Sequence, residues 1–125
     1  MDFIATEGAP KAIGPYSQAV TAGGFLFASG QIPLDPRSGE LVAGGVEAST
    51  DRILDNLEAV LRQSGLAFAD VVKTTVYLTR ADDFSAMNGA YARRFGAHRP
   101  ARSTVIVAAL PKGALLEIDL IARTR

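Results

Sequence analysis

The stretch "ALLEIDLIA", residues 114–122, is wholly apolar on one of its alternating faces and half apolar on the other. Strand side chains point to opposite sides in turn. Leu116, Ile118, Leu120 and Ala122 therefore make one wholly apolar face, and Leu115, Glu117, Asp119 and Ile121 make the other. Elsewhere the chain offers only two helical patterns, and two helices cover one face of a sheet of this size, hardly both. The second face, carrying Leu115, Ile121 and Ile106, needs cover from outside the chain. The economical cover is another copy of the same chain.

The rest of the chain supplies the other strands and the two helices. "AVTAGGFLFASGQIPL" reads as two strands joined at Gly23-Gly24, with Phe25, Phe27 and Ser29 on one face and Leu26 and Ala28 on the other. "PLDPRSGELV" reads as a loop. Ile53, Leu54, Leu57, Val60 and Leu61 form one helical stripe that Gly65 ends. "VVKTTVYL" follows as a strand with Val72, Thr74, Val76 and Leu78 on one face. Asp82 is the expected N-cap of a second helix, with Phe84, Met87, Tyr91 and Phe95 on its buried side and Gly96 at its end. "STVIVAAL" and the final strand, separated by a turn at Pro111-Lys112-Gly113, complete the order β-β-helix-β-helix-β-β, with a short strand expected at residues 2 to 5. The 125 residues, with six prolines spread along them, suggest a single domain over 1–125. A chain of this length buries roughly two-thirds of its unfolded surface.

Composition excludes several functions. Thirteen basic and thirteen acidic residues balance, so no global field draws the protein to nucleic acid or to a membrane surface. There is no cysteine, hence no thiolate nucleophile and no disulfide. The one histidine, His98, makes a histidine metal site improbable and leaves Ser29 and Ser103 without a plausible Ser-His-Asp arrangement. The glycine pairs match neither a dinucleotide fingerprint nor a P-loop. Arg93, Arg94, Arg99 and Arg102 cluster, but no aromatic stacking platform accompanies them, which argues against an RNA surface. With neither a signal-peptide pattern nor an apolar run of membrane-spanning length, the expectation is a soluble cytoplasmic protein.

A few residues could carry chemistry. Arg102 stands at a strand entrance in "HRPARSTV", stiffened by Pro100. It is either a plain surface arginine or a clamp that grips a carboxylate with two parallel hydrogen bonds. Glu117 and Asp119 share a strand face. They are either a solvent-facing pair or, if oligomerisation covers that face, two carboxylates with raised proton affinity suited to acid-base work. A covered Glu117 would need a partner, and Arg102 is a candidate. "AIGPYSQAV" delivers Tyr16 to a strand entrance, and "ASGQIP" places Ser29 and Gly30 where a ligand can approach the backbone.

These stretches together resemble the reactive intermediate deaminase family, Rid, formerly called YjgF. The resemblance rests on "AIGPYSQAV", "FASGQIPLDP.SGELV", "NLEAVL...G....DVVKTTVYL", "F..MN..Y...F", "RPARSTV" and "LPKGALLEIDLIA", in the family's order through nearly the whole chain. It implies an α+β, chorismate-mutase-like fold: a mixed sheet with two helices on one face, assembled into a homotrimeric barrel with clefts between subunits. It also implies cofactor-free hydrolysis of enamines and imines, such as 2-aminoacrylate, to 2-keto acids and ammonia. Those intermediates leak from pyridoxal-phosphate enzymes. By the same resemblance Arg102 is the carboxylate clamp, Glu117 the residue of the attacking water, Tyr16 and Ser29 further catalytic positions, and Gly30, Thr104, Phe84 and Asn88 shape the substrate cleft. Thr104 stands where the family often has cysteine. Two rivals remain: a module of the same fold that binds 2-keto acids without turnover, and, by fold analogy alone, a chorismate-mutase-type isomerase.

Overall fold

The computed structural model describes residues 1–125. Its strands are β1 (Asp2–Ile4), β2 (Ala19–Ala22), β3 (Phe25–Gln31), β4 (Val71–Leu78), β5 (Ala101–Ile106) and β6 (Leu116–Arg123); its helices are α1 (Gly45–Gln63) and α2 (Phe84–Phe95). They form one six-stranded sheet in the order β1-β2-β3-β6-β4-β5. All neighbours are antiparallel except β4 and β5, which run parallel because α2 carries the chain back between them. The expected α+β architecture, a mixed sheet with two helices on one face, is the observed one.

The helix-side face holds the core. Leu116, Ile118, Leu120 and Ala122 of β6 pack there with Ile53, Leu54, Leu57, Val60 and Leu61 of α1 and with Met87, Tyr91 and Phe95 of α2. Each fully buried leucine contributes about 1.5–3 kcal/mol. The hairpin between β2 and β3 turns through Gly23 and Gly24, whose φ values of 61° and 85° exclude most side chains.

The opposite face has no cover within the chain. Phe25 and Phe27 remain 39% and 42% exposed with their rings 6.4 Å apart, and Val105 lies bare on β5. Between them runs a polar band. The Tyr77 hydroxyl donates to Asp119 Oδ2 at 3.0 Å, and Lys73 Nζ donates to Ser103 Oγ at 2.9 Å.

Five local expectations are corrected. A register shift between Val71 and Lys73 sets Val71 in the core and turns Val72 out, so Val72 does not share the face of Thr74, Val76 and Leu78. Asp82 caps nothing: a 3₁₀ turn, Ala81–Asp83, precedes α2, and Asp82 faces Arg80 at 3.9 Å. Phe84, at the first turn of α2, is 42% exposed. Ile106 pairs with Leu78 and so sits on the helix side of the edge strand, leaving Val105 as the open-face residue. Leu115 precedes β6 and packs against the core cluster.

Candidate functional site

Four of the predicted residues meet in one cleft. Tyr16, Ser29, Gly30 and Glu117 line a cavity of about 490 Å³ together with Lys11 and Lys112. Its walls are loops fastened from behind by buried amides. Gln18, 4% exposed, donates from Nε2 to the carbonyls of Thr6 (3.0 Å) and Pro10 (2.8 Å) and accepts from the Thr6 amide at 2.7 Å. That grip holds the segment carrying Lys11 and Ile13. On the far side Asn56 of α1, fully buried, donates to the Leu34 carbonyl at 3.0 Å and steadies the loop after β3. Buried amides of this kind fix a loop because leaving them unpaired costs more than the bond gains.

Glu117 lies over Gly30. The β3–β6 pairing breaks between Ala28 and Gln31, and the bulge brings the Gly30 backbone under the Glu117 side chain. A Cβ at residue 30 would lie 2.7 Å from Glu117 Cδ and closer still to Oε2. Glycine is required here for close approach, since its φ is not in the left-handed region. Burial raises the proton affinity of Glu117 above the ordinary carboxylate value, and the neighbouring Asp119 charge raises it further. The hydrogen bond to Asp119 likewise pushes the Tyr77 phenol upward.

Tyr16 is 54% exposed, and its hydroxyl accepts a 3.3 Å hydrogen bond from the Ile13 amide, which leaves its own proton to donate. Ser29 has the opposite polarity. Its hydroxyl donates to the Ser17 carbonyl at 2.6 Å, so toward the cleft it offers acceptor lone pairs and no nucleophilic proton relay. His98 is engaged elsewhere, with Nε2 2.7 Å from the Val71 carbonyl.

Arg102 is not in this cleft. In the β4–β5 register it sits opposite Thr74, a buried residue of the helix side, whereas Glu117 sits opposite Tyr77 on the open side. The two residues point to opposite faces of one sheet. The expectation that Arg102 neutralises Glu117 is therefore corrected for a single chain, and neither residue takes part in any of its ion pairs. Arg102 instead lies over two rings of α2, its Cζ 4.8 Å from the Tyr91 centroid and 5.7 Å from that of Phe84. Thr104, two residues along β5, faces the same way, and Asn88 lies between Phe84 and Tyr91 on α2 at helical spacing. The predicted residues thus form two groups. Arg102, Thr104, Phe84 and Asn88 gather at the β5–α2 edge; Tyr16, Ser29, Gly30 and Glu117 gather in the cleft.

Sequence reasoning missed the cleft lysines, the wall-fastening Gln18 and Asn56, and the ring under Arg102. Gln18 stands within "GPYSQAV" and Lys112 within "LPKG", so position in a motif was their only signal. No group of three or more histidine, cysteine, aspartate or glutamate side chains is placed to hold a metal ion, and no helix is long and apolar enough to cross a membrane.

A mixed sheet with both helices on one side, and a bulged strand that sets a carboxylate over a glycine, defines the class. The family model described as Endoribonuclease L-PSP matches residues 6–124. The chain belongs to this family, which is also the Rid (YjgF) family. It is 47% identical to the human 2-iminobutanoate/2-iminopropanoate deaminase over 119 residues, covering 95% of this chain and 87% of that protein. Among solved structures, a protein of the conserved Rid family YyfA from Yersinia pestis superposes with a TM-score of 0.95 at 50% identity, covering 98% of each chain. Escherichia coli TdcF, crystallised with bound serine, superposes with a TM-score of 0.94 at 41% identity and covers both chains fully.

Proposed function

We propose that this protein hydrolyses small 2-imino acids, the tautomers of enamines such as 2-aminoacrylate, to 2-keto acids and ammonia, in clefts completed by a second copy of the chain. The observation that carries the reading is Glu117: a half-buried carboxylate of raised proton affinity, held over Gly30 in a cleft with no ion-pair partner. The likeness to the human deaminase supports imines as the substrate class. The open sheet face with Phe25, Phe27 and Val105 supports assembly, and a homotrimer is the form the family resemblance implies. Such imines leak from pyridoxal-phosphate enzymes, and this protein would act beside them in the cytoplasm.

In this reading Arg102 of one copy reaches the Glu117 cleft of its neighbour and grips the substrate carboxylate bidentately, with Thr104, Phe84 and Asn88 beside it. Glu117 takes a proton from a water molecule as its oxygen bonds to the carbon of the protonated imine, giving a neutral carbinolamine. Glu117 returns that proton to the nitrogen, and as the C–N bond breaks it takes the hydroxyl proton, so that the carbonyl forms and ammonia and the keto acid leave. A carboxyl of raised proton affinity suits both halves, since it must accept a proton and return it. Tyr16 donates to, and Ser29 accepts from, groups in the cleft. The lysines offer a rival: Lys11 or Lys112 would hold the carboxylate within one chain and leave Arg102 idle.

Mixing two inactive variants separates these. Arg102→Ala and Glu117→Gln are each expected to be nearly inactive on imine generated in situ. Refolded together as a trimer, random assembly gives each cleft about a one-in-four chance of an intact Arg102 beside an intact Glu117, and so about a quarter of wild-type activity. No recovery, or a particle of one chain mass in solution, would sink the shared cleft. A wild-type rate for Arg102→Ala would favour the lysines. A protein that binds 2-keto acid and never turns over imine would be the binding module.

A further inference from the structure

We propose that Tyr91 is a positioning residue for Arg102: a buried, doubly anchored ring that fixes the plane of the guanidinium so that its N–H edge faces outward for a carboxylate. The proposal rests on the clamp reading of Arg102 above and deepens it. A free arginine side chain samples many rotamers, and Arg102 has no carboxylate in its own chain to choose one. What it has is the Tyr91 face at 4.8 Å, with Phe84 at 5.7 Å. Guanidinium stacks on an aromatic face through its own flat face, and this leaves all its N–H groups in the plane for hydrogen bonding.

The ring cannot turn away. Tyr91 is 8% exposed, its hydroxyl lies 2.8 Å from Thr74 Oγ1, and its other neighbour is Phe95, stacked with centroids 4.5 Å apart and planes 23° from parallel. Thr74 is fully buried and sits directly opposite Arg102 in the β4–β5 register. The tyrosine therefore runs from the Thr74 hydroxyl on β4 to the guanidinium on β5, and the sheet itself sets the spacing. Phe84 supplies a second ring but is 42% exposed, so it has less to hold it. Because the Tyr91 hydroxyl is already taken up by Thr74, the residue acts through Arg102 and not on the substrate. Burial holds its phenol in the neutral form, as a hydrogen-bonding anchor requires.

The test is a double-mutant cycle on the assembled protein, read as kcat/KM for imine generated in situ and as the Kd of 2-oxobutanoate. Tyr91→Leu removes the ring and should lower kcat/KM and weaken keto-acid binding about tenfold. Tyr91→Phe keeps the ring and loses only the Thr74 bond, and should stay within about threefold of wild type. In an Arg102→Ala background Tyr91→Leu should have no further effect, whereas a merely structural role would add its full cost there. The Nε–H signal of Arg102 in the ¹⁵N spectrum of the wild type gives a second readout that needs no variant. It should be sharp and displaced by the ring current. A random-coil position for that signal, or Tyr91→Leu at wild-type rate beside a crippled Arg102→Ala, overturns the proposal alone. Arg102→Ala at wild-type rate overturns the clamp reading and the proposal with it.

Discussion

The two candidate regions solve opposite problems with the same sheet. At the β5–α2 edge a permanent cation stands without an ion-pair partner and is held by two aromatic faces. In the cleft beyond β3 a half-buried carboxylate stands without an ion-pair partner, beside a second carboxylate. The first group needs orientation, because its charge never changes. In the proposed reaction the second needs a shifted proton affinity, because its charge would change during turnover. Rings supply the one and burial with Asp119 supplies the other. Their placement on opposite faces means that a single chain carries both groups and does not bring them together.

The largest expected break in this comparison is Glu117→Gln. It keeps the shape over Gly30 and should lower turnover by about 10²–10⁴-fold while 2-keto acid still binds, as read by rapid kinetics and calorimetry. Arg102 variants should show the reverse emphasis, with loss of binding as well as of rate. A Glu117→Gln protein at wild-type rate would strip the cleft of its role.

Gly30→Ala comes next. The backbone there tolerates alanine, so the added methyl acts on the Glu117 side chain and not on the fold. Displacing a positioned acid-base group by about 1 Å costs on the order of 10²-fold. The expected outcome is a drop toward that size with an unchanged melting temperature and unchanged Arg102 contacts. Full activity would show that Glu117 works from more than one position.

Asp119→Asn sharpens the electrostatic half. Removing the neighbouring charge should lower the proton affinity of Glu117, so the acidic limb of the kcat/KM profile moves to lower pH. The move is partial, because burial is the larger cause and remains. The Tyr77 phenol, deprived of its charged acceptor, should titrate earlier, which ultraviolet absorbance reads directly. An acidic limb moving upward would contradict the assignment.

The smallest effect is on stability. Glu117 binds its proton more tightly folded than unfolded. Folding is therefore favoured below the unfolded value of about 4.3, and that advantage is lost as pH rises through the higher folded value. Above that folded value the ionised, half-buried group is a cost. Glu117→Gln should accordingly melt slightly higher than wild type at pH 7, with the difference fading below about pH 4. A lower melting temperature at pH 7 would mean that Glu117 has a stabilising partner in the assembled protein.

Much of this was open to reading from the chain alone. The alternation of Leu116, Ile118, Leu120 and Ala122, the stripe from Ile53 to Leu61 and the glycine pair at 23–24 each impose one local geometry, because side-chain period and allowed φ are properties of short segments. Motif order then pointed to the family, and with it to the residues that line the cleft and the β5 edge. Tertiary structure alone decided which of those residues can meet. A period of two says which residues of a strand share a face, but not which face of the next strand they join. That depends on register, and one bulge reverses it, as at Val72. Arg102 and Glu117 look like natural partners in sequence, and the β4 register sends them to opposite sides. The Tyr91 ring under Arg102 was likewise invisible, since its contact depends on where α2 lands on the sheet, and packing of the whole core sets that.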